Sequence, residues 1–161
     1  MSVGSVGTPR PAGRTLAYHE VSVGDALPVL ALPVTRTLIV SGALASRDYQ
    51  DVHHDAELAR QRGSRDIFMN ILTTNGLVGR YVTDWGGPGG ILRDVAIRLG
   101  VPNYPDDTMT LAGSVTAKAG PAPDGRRGLV EVTLVGANGL GDHVTGTVTV
   151  ALPMETGGGH A

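Results

Sequence analysis

The feature that most constrains the fold of this chain is one long helical pattern, which stops at a run of glycines. Apolar residues recur at steps of three, four and seven from Met69 to Trp85, the repeat of a helix with a broad buried face. The face comprises Ile71, Leu72, Leu77, Val78, Tyr81, Val82 and Trp85. Gly76 and Gly79 each cost about 1 kcal/mol of helix propensity relative to Ala, so we expect close approach of another backbone, either a sheet or a second copy of the helix.

Segments with strand character lie on both sides of this helix. Before it, β-branched residues predict strands over Thr15–Val23 and Pro33–Ser41, the second running on toward Ala45. A short helix over 55–62 should begin at Asp55 as N-cap and stop at Gly63. After the long helix, the predicted strands are 91–99, 108–117, 129–135 and 143–152, with an Asn138-Gly139 turn before the last. One long helix and several antiparallel strands predict an α+β layer fold, a sheet wrapped around the helix.

Composition narrows the class of protein. The chain has 161 residues, 41% of them hydrophobic, which suits one domain with a real core. We expect a flexible arm over 1–14, the folded domain over 15–153 and a flexible tail over 154–161. The net charge of −2 gives no basic footprint for nucleic acid. The absence of cysteine excludes disulfides and thiolate sites, and no apolar run is long enough to span a membrane, so we expect a cytoplasmic protein.

The ionisable residues are concentrated in one stretch, Ser46–Asp55. Asp48 and His53 are five residues apart, and in a turn that leads into a helix they can converge on one point. A carboxylate and an imidazole that face one pocket can share a water and move its proton, which suits addition of water to an activated double bond. Two other interpretations remain open for the stretch. It could be a solvated turn, or it could bind a metal through a set drawn from Asp48, Asp51, His53, His54 and Asp55.

Three separated motifs carry a resemblance to a known family. The first, Asp48-Tyr49-Gln50-Asp51-Val52-His53 with Ala59 six residues on, resembles the hydratase-2 signature of the MaoC-like (R)-specific enoyl-CoA hydratases. Gln50 stands where that signature has Asn, and Asp51 stands where it has Pro. Together with Arg47–Asp55, the segments 66–72 and 80–85 resemble the small MaoC-like subunit of the actinobacterial steroid side-chain hydratase, and Leu140–Thr145 fits it too.

This resemblance implies a fold and a reaction. The fold is a hot dog, an antiparallel sheet around a central helix, here Met69–Trp85. The reaction adds water across a trans-2-enoyl-CoA to give an R-configured 3-hydroxyacyl-CoA, with Asp48 and His53 as the general acid/base pair. The backbone N–H of Asn70 would polarise the thioester oxygen at the start of the helix. Thr73 and Thr74 would line the pocket one turn on, or bond back to helix carbonyls.

The resemblance also bears on ligands and partners. Coenzyme A is part of the substrate, so no separate cofactor and no metal is implied. Its phosphates need cations, and the candidates are Arg93, Arg98, Arg126 and Arg127. A second MaoC-like subunit, or a second copy of this chain, is the expected partner. Two rival functions stay open: a thioesterase on the same fold, and a non-catalytic subunit of a heteromeric hydratase.

Overall fold

The computed structural model describes residues 13–121 and 125–155. The predicted arm and tail therefore lie almost wholly outside the described residues. At the boundaries, Arg14 pairs with Glu20, and the N–H of Met154 donates to the carbonyl of Arg126 at 3.0 Å. The helices are α1 Arg36–Ala45, α2 Ala56–Gln61 and α3 Ile71–Gly86. The strands are β1 Leu30–Val34, β2 Ile91–Leu99, β3 Asp107–Pro121, β4 Arg127–Asn138 and β5 Gly141–Pro153.

The long predicted helix is α3. Asn70 caps its start, since the Asn70 side-chain oxygen accepts the N–H of Thr73 at 3.0 Å, and Gly87 ends it with a φ of 83°. Val78, Tyr81, Val82 and Trp85 are buried, as the pattern predicts. Ile71 and Leu72 are instead about half exposed, at 49% and 51%. The predicted buried face is therefore wrong in the first turn, where Ile71 borders an open cleft.

The glycines of α3 do not mark a close backbone neighbour. A Cβ on Gly79 would meet the Leu92 side chain at 3.3 Å, and a Cβ on Gly76 would meet nothing within 4 Å. The predicted close approach of a backbone is therefore wrong for the sheet of this chain, and approach of a second copy of the helix stays a prediction. One contact that does require glycine lies between α1 and α3, because a Cβ on Gly42 would lie 2.2 Å from the Thr73 hydroxyl oxygen.

The five strands form one antiparallel sheet in the order β1-β3-β4-β5-β2. Helix α3 packs against β2 and β5, and its buried face joins the inward residues of the sheet in one core. That core includes Val34, Ile39, Met109, Leu111, Val115, Val130, Val132, Val148, Val150 and Leu152. The strand β2 is an edge of the sheet and is unusually exposed, with Ile91 and Leu92 at 39% and 38%. This is the sheet-around-helix architecture that the sequence predicts.

Two predictions for the N-terminal part are wrong. The β-branched segment Pro33–Ser41 is mostly helix: β1 ends at Val34, Thr35 caps α1, and Ile39 and Ala43 form the buried i, i+4 face. Tertiary packing of that face overrides strand propensity. Thr15–Val23 contains a 3₁₀ turn at Tyr18–Glu20 rather than a strand, because the Glu20 carboxylate accepts the N–H of Ala17 at 2.8 Å. None of the described helices is both long and apolar enough to cross a membrane.

Candidate active site

Asp48 is set in place by the end of helix α1. The helix ends at Ala45, and Arg47 takes a positive φ of 57°, an uncommon conformation for a residue other than glycine. The reversal lets the Asp48 N–H donate to the Ala43 carbonyl at 2.9 Å, which fixes the backbone that carries the carboxylate. One carboxylate oxygen, Oδ1, also accepts the N–H of Gln50 at 3.4 Å. The carboxylate is thus held at the end of a helix, not at the end of a strand.

His53 closes a 3₁₀ turn, Asp51–His53, and is buried. Its Nδ1 lies 2.7 Å from the carbonyl oxygen of Phe68. A carbonyl can only accept, so Nδ1 carries a proton and donates it. The other nitrogen, Nε2, lies 3.3 Å from Asp48 Oδ2. The spacing in the sequence correctly predicts that Asp48 and His53 converge. The hydrogen bond to the Phe68 carbonyl fixes the tautomer of His53.

The tautomer gives the pair its chemistry. In neutral His53, Nε2 has a lone pair that points toward a carboxylate, and two acceptors cannot bond each other. The contact is satisfied when a proton lies between the two atoms, or when one water molecule beside them donates an O–H to each. The Phe68 carbonyl would also stabilise the imidazolium that forms when Nε2 takes a proton. The pair is therefore suited to accept a proton from a water molecule and to return one to a neighbouring atom.

Asn70 joins the pair to the central helix. Its Nδ2 donates to Asp48 Oδ2 at 3.0 Å and to the Ser46 hydroxyl at 2.9 Å, while its Oδ1 caps α3. Asn70 is 2% exposed, so its end of each contact is buried. Among the described residues, none accepts a hydrogen bond from the backbone N–H groups of Asn70, Ile71 and Leu72. These donors lie at the positive end of the helix dipole.

Asp48 and His53 open onto a cleft of about 300 Å³. Its polar side chains are those of Asp48, Gln50, His53, Asn70 and His143. Its other walls are mostly apolar and come from the segment before α3 and from the end of β2: Phe68, Met69, Ile71, Leu99, Gly100, Val101 and Pro102. A mostly apolar cleft with a few converging polar groups is the usual form of a small-molecule site.

Comparison with known proteins adds independent information. No protein-family model matches the sequence. The chain is 53% identical over 130 residues to the 3-oxo-4,17-pregnadiene-20-carboxyl-CoA hydratase beta subunit of Mycobacterium tuberculosis, covering 81% of this chain and 95% of that protein. The chain belongs to the MaoC-like hydratase family.

Solved structures agree with this membership. One chain of the ChsH1-ChsH2 complex from Mycobacterium tuberculosis superposes on this MaoC-like chain with a TM-score of 0.73 at 53% identity, covering 81% of this chain and 98% of that one. The unliganded R-hydratase PhaJ1 from Pseudomonas aeruginosa gives a TM-score of 0.75 at 20% identity, with 88% of each chain covered. At that identity the second likeness shows the fold alone, the hot dog that the sequence predicts.

The other carboxylates and the second histidine of the Ser46–Asp55 stretch bond to neighbouring groups of the protein. His54 Nε2 lies 3.2 Å from the carbonyl oxygen of Tyr49, and Asp51 pairs with Arg62 at 2.7 Å. Asp55 caps α2 by accepting the N–H groups of Glu57 and Leu58, as predicted. Within residues 13–121 and 125–155, no group of three or more His, Cys, Asp or Glu side chains is placed to hold a metal ion.

Thr73 and Thr74 do not line the cleft, so the first of their two predicted placements is wrong, and Thr74 lies near a helix carbonyl as the second predicts. Thr73 faces α1, where its hydroxyl lies against Gly42. The Thr74 hydroxyl oxygen lies 3.3 Å from the Asn70 carbonyl oxygen and 2.9 Å from Nε2 of His143. The reason is helical geometry, because residues three and four positions after Asn70 lie under the first turn, not beside the open N-terminus.

The four arginines do not converge on the pair. Arg126 and Arg127 lie at the far end of the sheet, nine residues along β4 from the row that contains Leu99, or about 30 Å. Arg127 is also bonded to the carbonyl of Gly89. Arg93 is about 20 Å along β2 from Leu99, whereas Arg98 precedes Leu99 directly. Contact of these arginines with CoA phosphates stays a prediction, because the pantetheine arm separates the phosphates of CoA from its thioester.

His143 is the site residue that sequence reasoning missed. It lies near the start of β5, is 1% exposed and lines the cleft. Burial lowers the pKa of His143, opposed by its bond to the Val101 carbonyl. Two signals in the sequence point to it: His143 belongs to the Leu140–Thr145 segment, and it is an imidazole at an inward position of a strand with few charged residues. Neither signal reveals its neighbour, because Thr74 is 69 residues away.

Proposed function

We propose that this chain catalyses hydration of a trans-2-enoyl-CoA thioester to an R-configured 3-hydroxyacyl-CoA, with Asp48 and His53 as the acid/base pair. One observation carries the proposal: His53 Nε2 and Asp48 Oδ2 lie 3.3 Å apart in a mostly apolar cleft, beside the N-terminus of the central helix. Membership of the hydratase family supports it. The pair provides the two proton transfers that hydration requires, and the helix start provides donors for the charge that develops.

The reaction follows from this arrangement. A water hydrogen-bonded to both Asp48 and His53 gives a proton to the pair, and its oxygen bonds to C3 of the enoyl group. Electron density from the double bond moves onto the thioester oxygen, to which the N–H of Asn70 or of its neighbour in the first turn donates a hydrogen bond. The pair then delivers one proton to C2. One water is consumed, one C–O and one C–H bond form, and no redox step occurs.

Asn70 supports this chemistry in two ways. Its Nδ2 occupies one lone pair of Asp48 Oδ2, which orients the carboxylate toward His53. Its Oδ1 caps the helix, which keeps the neighbouring backbone N–H groups aligned with the cleft rim. General acid/base catalysis by such a positioned pair contributes about 10²- to 10⁴-fold to a rate.

For the substrate and partner, we propose a bulky, steroid-like acyl-CoA and a second hot-dog subunit. The similar hydratase beta subunit is named for a steroid CoA ester, and the similar solved chain belongs to a complex of two proteins. The cleft, at about 300 Å³, is at the lower limit for ligand pockets, so a partner would have to complete the walls for a ring system. The exposed edge strand β2 offers backbone groups for such pairing.

The test is an assay that separates hydration from thioester hydrolysis. The chain is purified alone and together with a co-expressed second MaoC-like subunit, and each sample receives a steroid enoyl-CoA. Loss of the enoyl absorbance without release of free CoA supports the proposal. Release of free CoA would identify a thioesterase. Full activity of the assembly with Asp48→Asn in this chain would identify a non-catalytic subunit.

A further inference from the structure

His143 connects the wall of the cleft to the first turn of α3. Its Nδ1 lies 2.7 Å from the carbonyl oxygen of Val101, and its Nε2 lies 2.9 Å from the Thr74 hydroxyl oxygen. Backbone bonds reinforce the first contact, because the N–H of Gly100 donates to the His143 carbonyl at 2.8 Å and that of Val101 to the Asp142 carbonyl at 3.0 Å. The imidazole therefore ties β5 to the segment that follows β2 and to the central helix.

The direction of the two bonds is fixed by chemistry. The Val101 carbonyl can only accept, so Nδ1 of His143 carries the proton. In the neutral ring Nε2 is then an acceptor, and the Thr74 hydroxyl donates its proton to it. Both nitrogens are satisfied inside the core, which a buried polar group requires. An apolar ring would fill this space without needing either partner, so the polar contacts call for an explanation beyond packing.

The contacts continue from Thr74 to the acid/base pair. The Thr74 N–H donates to the Asn70 carbonyl at 3.2 Å, and the Thr74 hydroxyl lies 3.3 Å from the same oxygen. Asn70 in turn holds Asp48 through Nδ2 at 3.0 Å. A connected path of hydrogen bonds thus runs from Val101 through His143, Thr74 and Asn70 to Asp48. If Thr74 lost its bond to His143, its hydroxyl would donate to the Asn70 carbonyl instead. That carbonyl would then accept a second hydrogen bond beside the one from the Thr74 N–H.

We propose that His143 is a positioning residue for the Asp48/His53 pair, acting through the Thr74 hydroxyl and Asn70. The inference rests on the proposed hydration, which it deepens. His143 does not exchange a proton with the substrate; it sets the rotation of Thr74 and so the orientation of Asn70. Misplacement of a catalytic group by about 1 Å can slow a reaction about 100-fold.

The test compares four variants, each measured in the assembled enzyme. Thr74→Val and His143→Phe both remove the bond between these residues. His143→Gln retains an acceptor that can reach Thr74. Thr83→Val is the matched control, because the Thr83 hydroxyl also bonds back to helix carbonyls, of Gly79 and Arg80, but at the opposite end of α3.

The proposal predicts a kcat effect. Thr74→Val and His143→Phe should each lower kcat about ten-fold or more while KM changes by less than about two-fold. The double variant should lose no more than the worse single variant, since both act on one bond. His143→Gln should recover most of the rate. A ligand-free readout accompanies the assay: the NMR resonances of the Asn70 side-chain amide should shift in Thr74→Val and His143→Phe but not in Thr83→Val.

Specific results would overturn the inference that His143 positions the pair. Wild-type kcat in folded His143→Phe, or an equal loss in Thr83→Val, would overturn the inference and leave the hydratase assignment intact. A loss that only follows the folded fraction, measured by thermal unfolding, would also overturn it. If the wild-type assembly shows no hydration at all, the proposed function fails instead, and the Asn70 amide shift alone then decides whether His143 positions Asn70.

Discussion

Asn70 is the residue whose replacement should have the largest combined effect, because one side chain serves both the helix and the site. Asn70→Ala removes the N-cap bond to Thr73, which costs about 1 kcal/mol. It also removes the Nδ2 bond to the Asp48 carboxylate, and a bond to a charged group is worth about 1.5 to 3 kcal/mol. We therefore expect the free energy of unfolding to fall by about 2.5 to 4 kcal/mol.

Two further variants separate these contributions. Asn70→Ser keeps a capping oxygen but loses the donor to Asp48, so it should cost about 1.5 to 3 kcal/mol. Thr35→Ala is the matched control, because Thr35 caps α1 by accepting the N–H of Leu38 at 3.0 Å and does not contact the cleft. It should cost about 1 kcal/mol and leave hydration unchanged.

Urea unfolding gives the stabilities, and the rate of enoyl absorbance loss gives the activity. Both Asn70 variants should lose at least about ten-fold in kcat, because the carboxylate loses the donor that orients it. The reasoning is refuted if Asn70→Ala costs no more stability than Thr35→Ala and hydrates the enoyl-CoA at the wild-type rate.

Three further outcomes are expected. Gly42→Ala should destabilise by about 1 to 3 kcal/mol in urea unfolding, because its Cβ would lie 2.2 Å from the Thr73 hydroxyl oxygen. Gly76→Ala, where a Cβ meets nothing within 4 Å, should instead stabilise the protein by about 0.5 to 1 kcal/mol. A loss of stability in this variant would contradict the conclusion that Gly76 lies at an open position of α3. Because burial lowers the pKa of His143, the unfolded chain takes up a proton near pH 6.5 that the folded chain does not. Stability should therefore fall as the pH drops below about 6.5, at up to about 1.4 kcal/mol per pH unit, and His143→Phe should remove that part of the slope measured by urea unfolding across pH 5 to 7.5.

Local signals predicted most of the elements. The strand β2 lies at the predicted residues, α3 is displaced by one or two residues, and Asp55 and Gly63 bound α2 as their residue types require, with a φ of 89° at the glycine. These elements have caps, breakers or strong periodicity that depend only on neighbours in sequence. Such signals need no knowledge of the tertiary fold.

The failure at α1 has a physical cause. Pro33–Ser41 carries Val, Thr and Ile, which favour a strand when taken one at a time. The spacing of Ile39 and Ala43 instead places both on one buried helical face, and Thr35 is a good N-cap. The helical repeat that Ile39 and Ala43 form covers only two positions, so it is a weaker signal than the strand propensity of the segment. The error mattered for the site, because it is the end of a helix that positions Asp48.

Within the site, the sequence predicted the Asp48/His53 pair but not the residues that surround it. Asp48 and His53 were predicted together because five residues in a turn can bring them close. The carbonyl that sets the tautomer of His53 belongs to Phe68, and the cleft wall comes from Leu99 to Pro102. The partner of Thr74 is His143, at the start of the last strand. These are contacts between distant segments, which only the assembled sheet and helix define.

The central claim is that Asp48 and His53 act as one acid/base unit in hydration. The most direct measurement is kcat for a steroid enoyl-CoA in the assembled enzyme carrying Asp48→Asn, His53→Ala or both, each checked for folding by thermal unfolding. Each single variant should lose at least about 100-fold, and the double variant should lose no more than the worse single variant. Folded single variants that keep near wild-type kcat would contradict the claim.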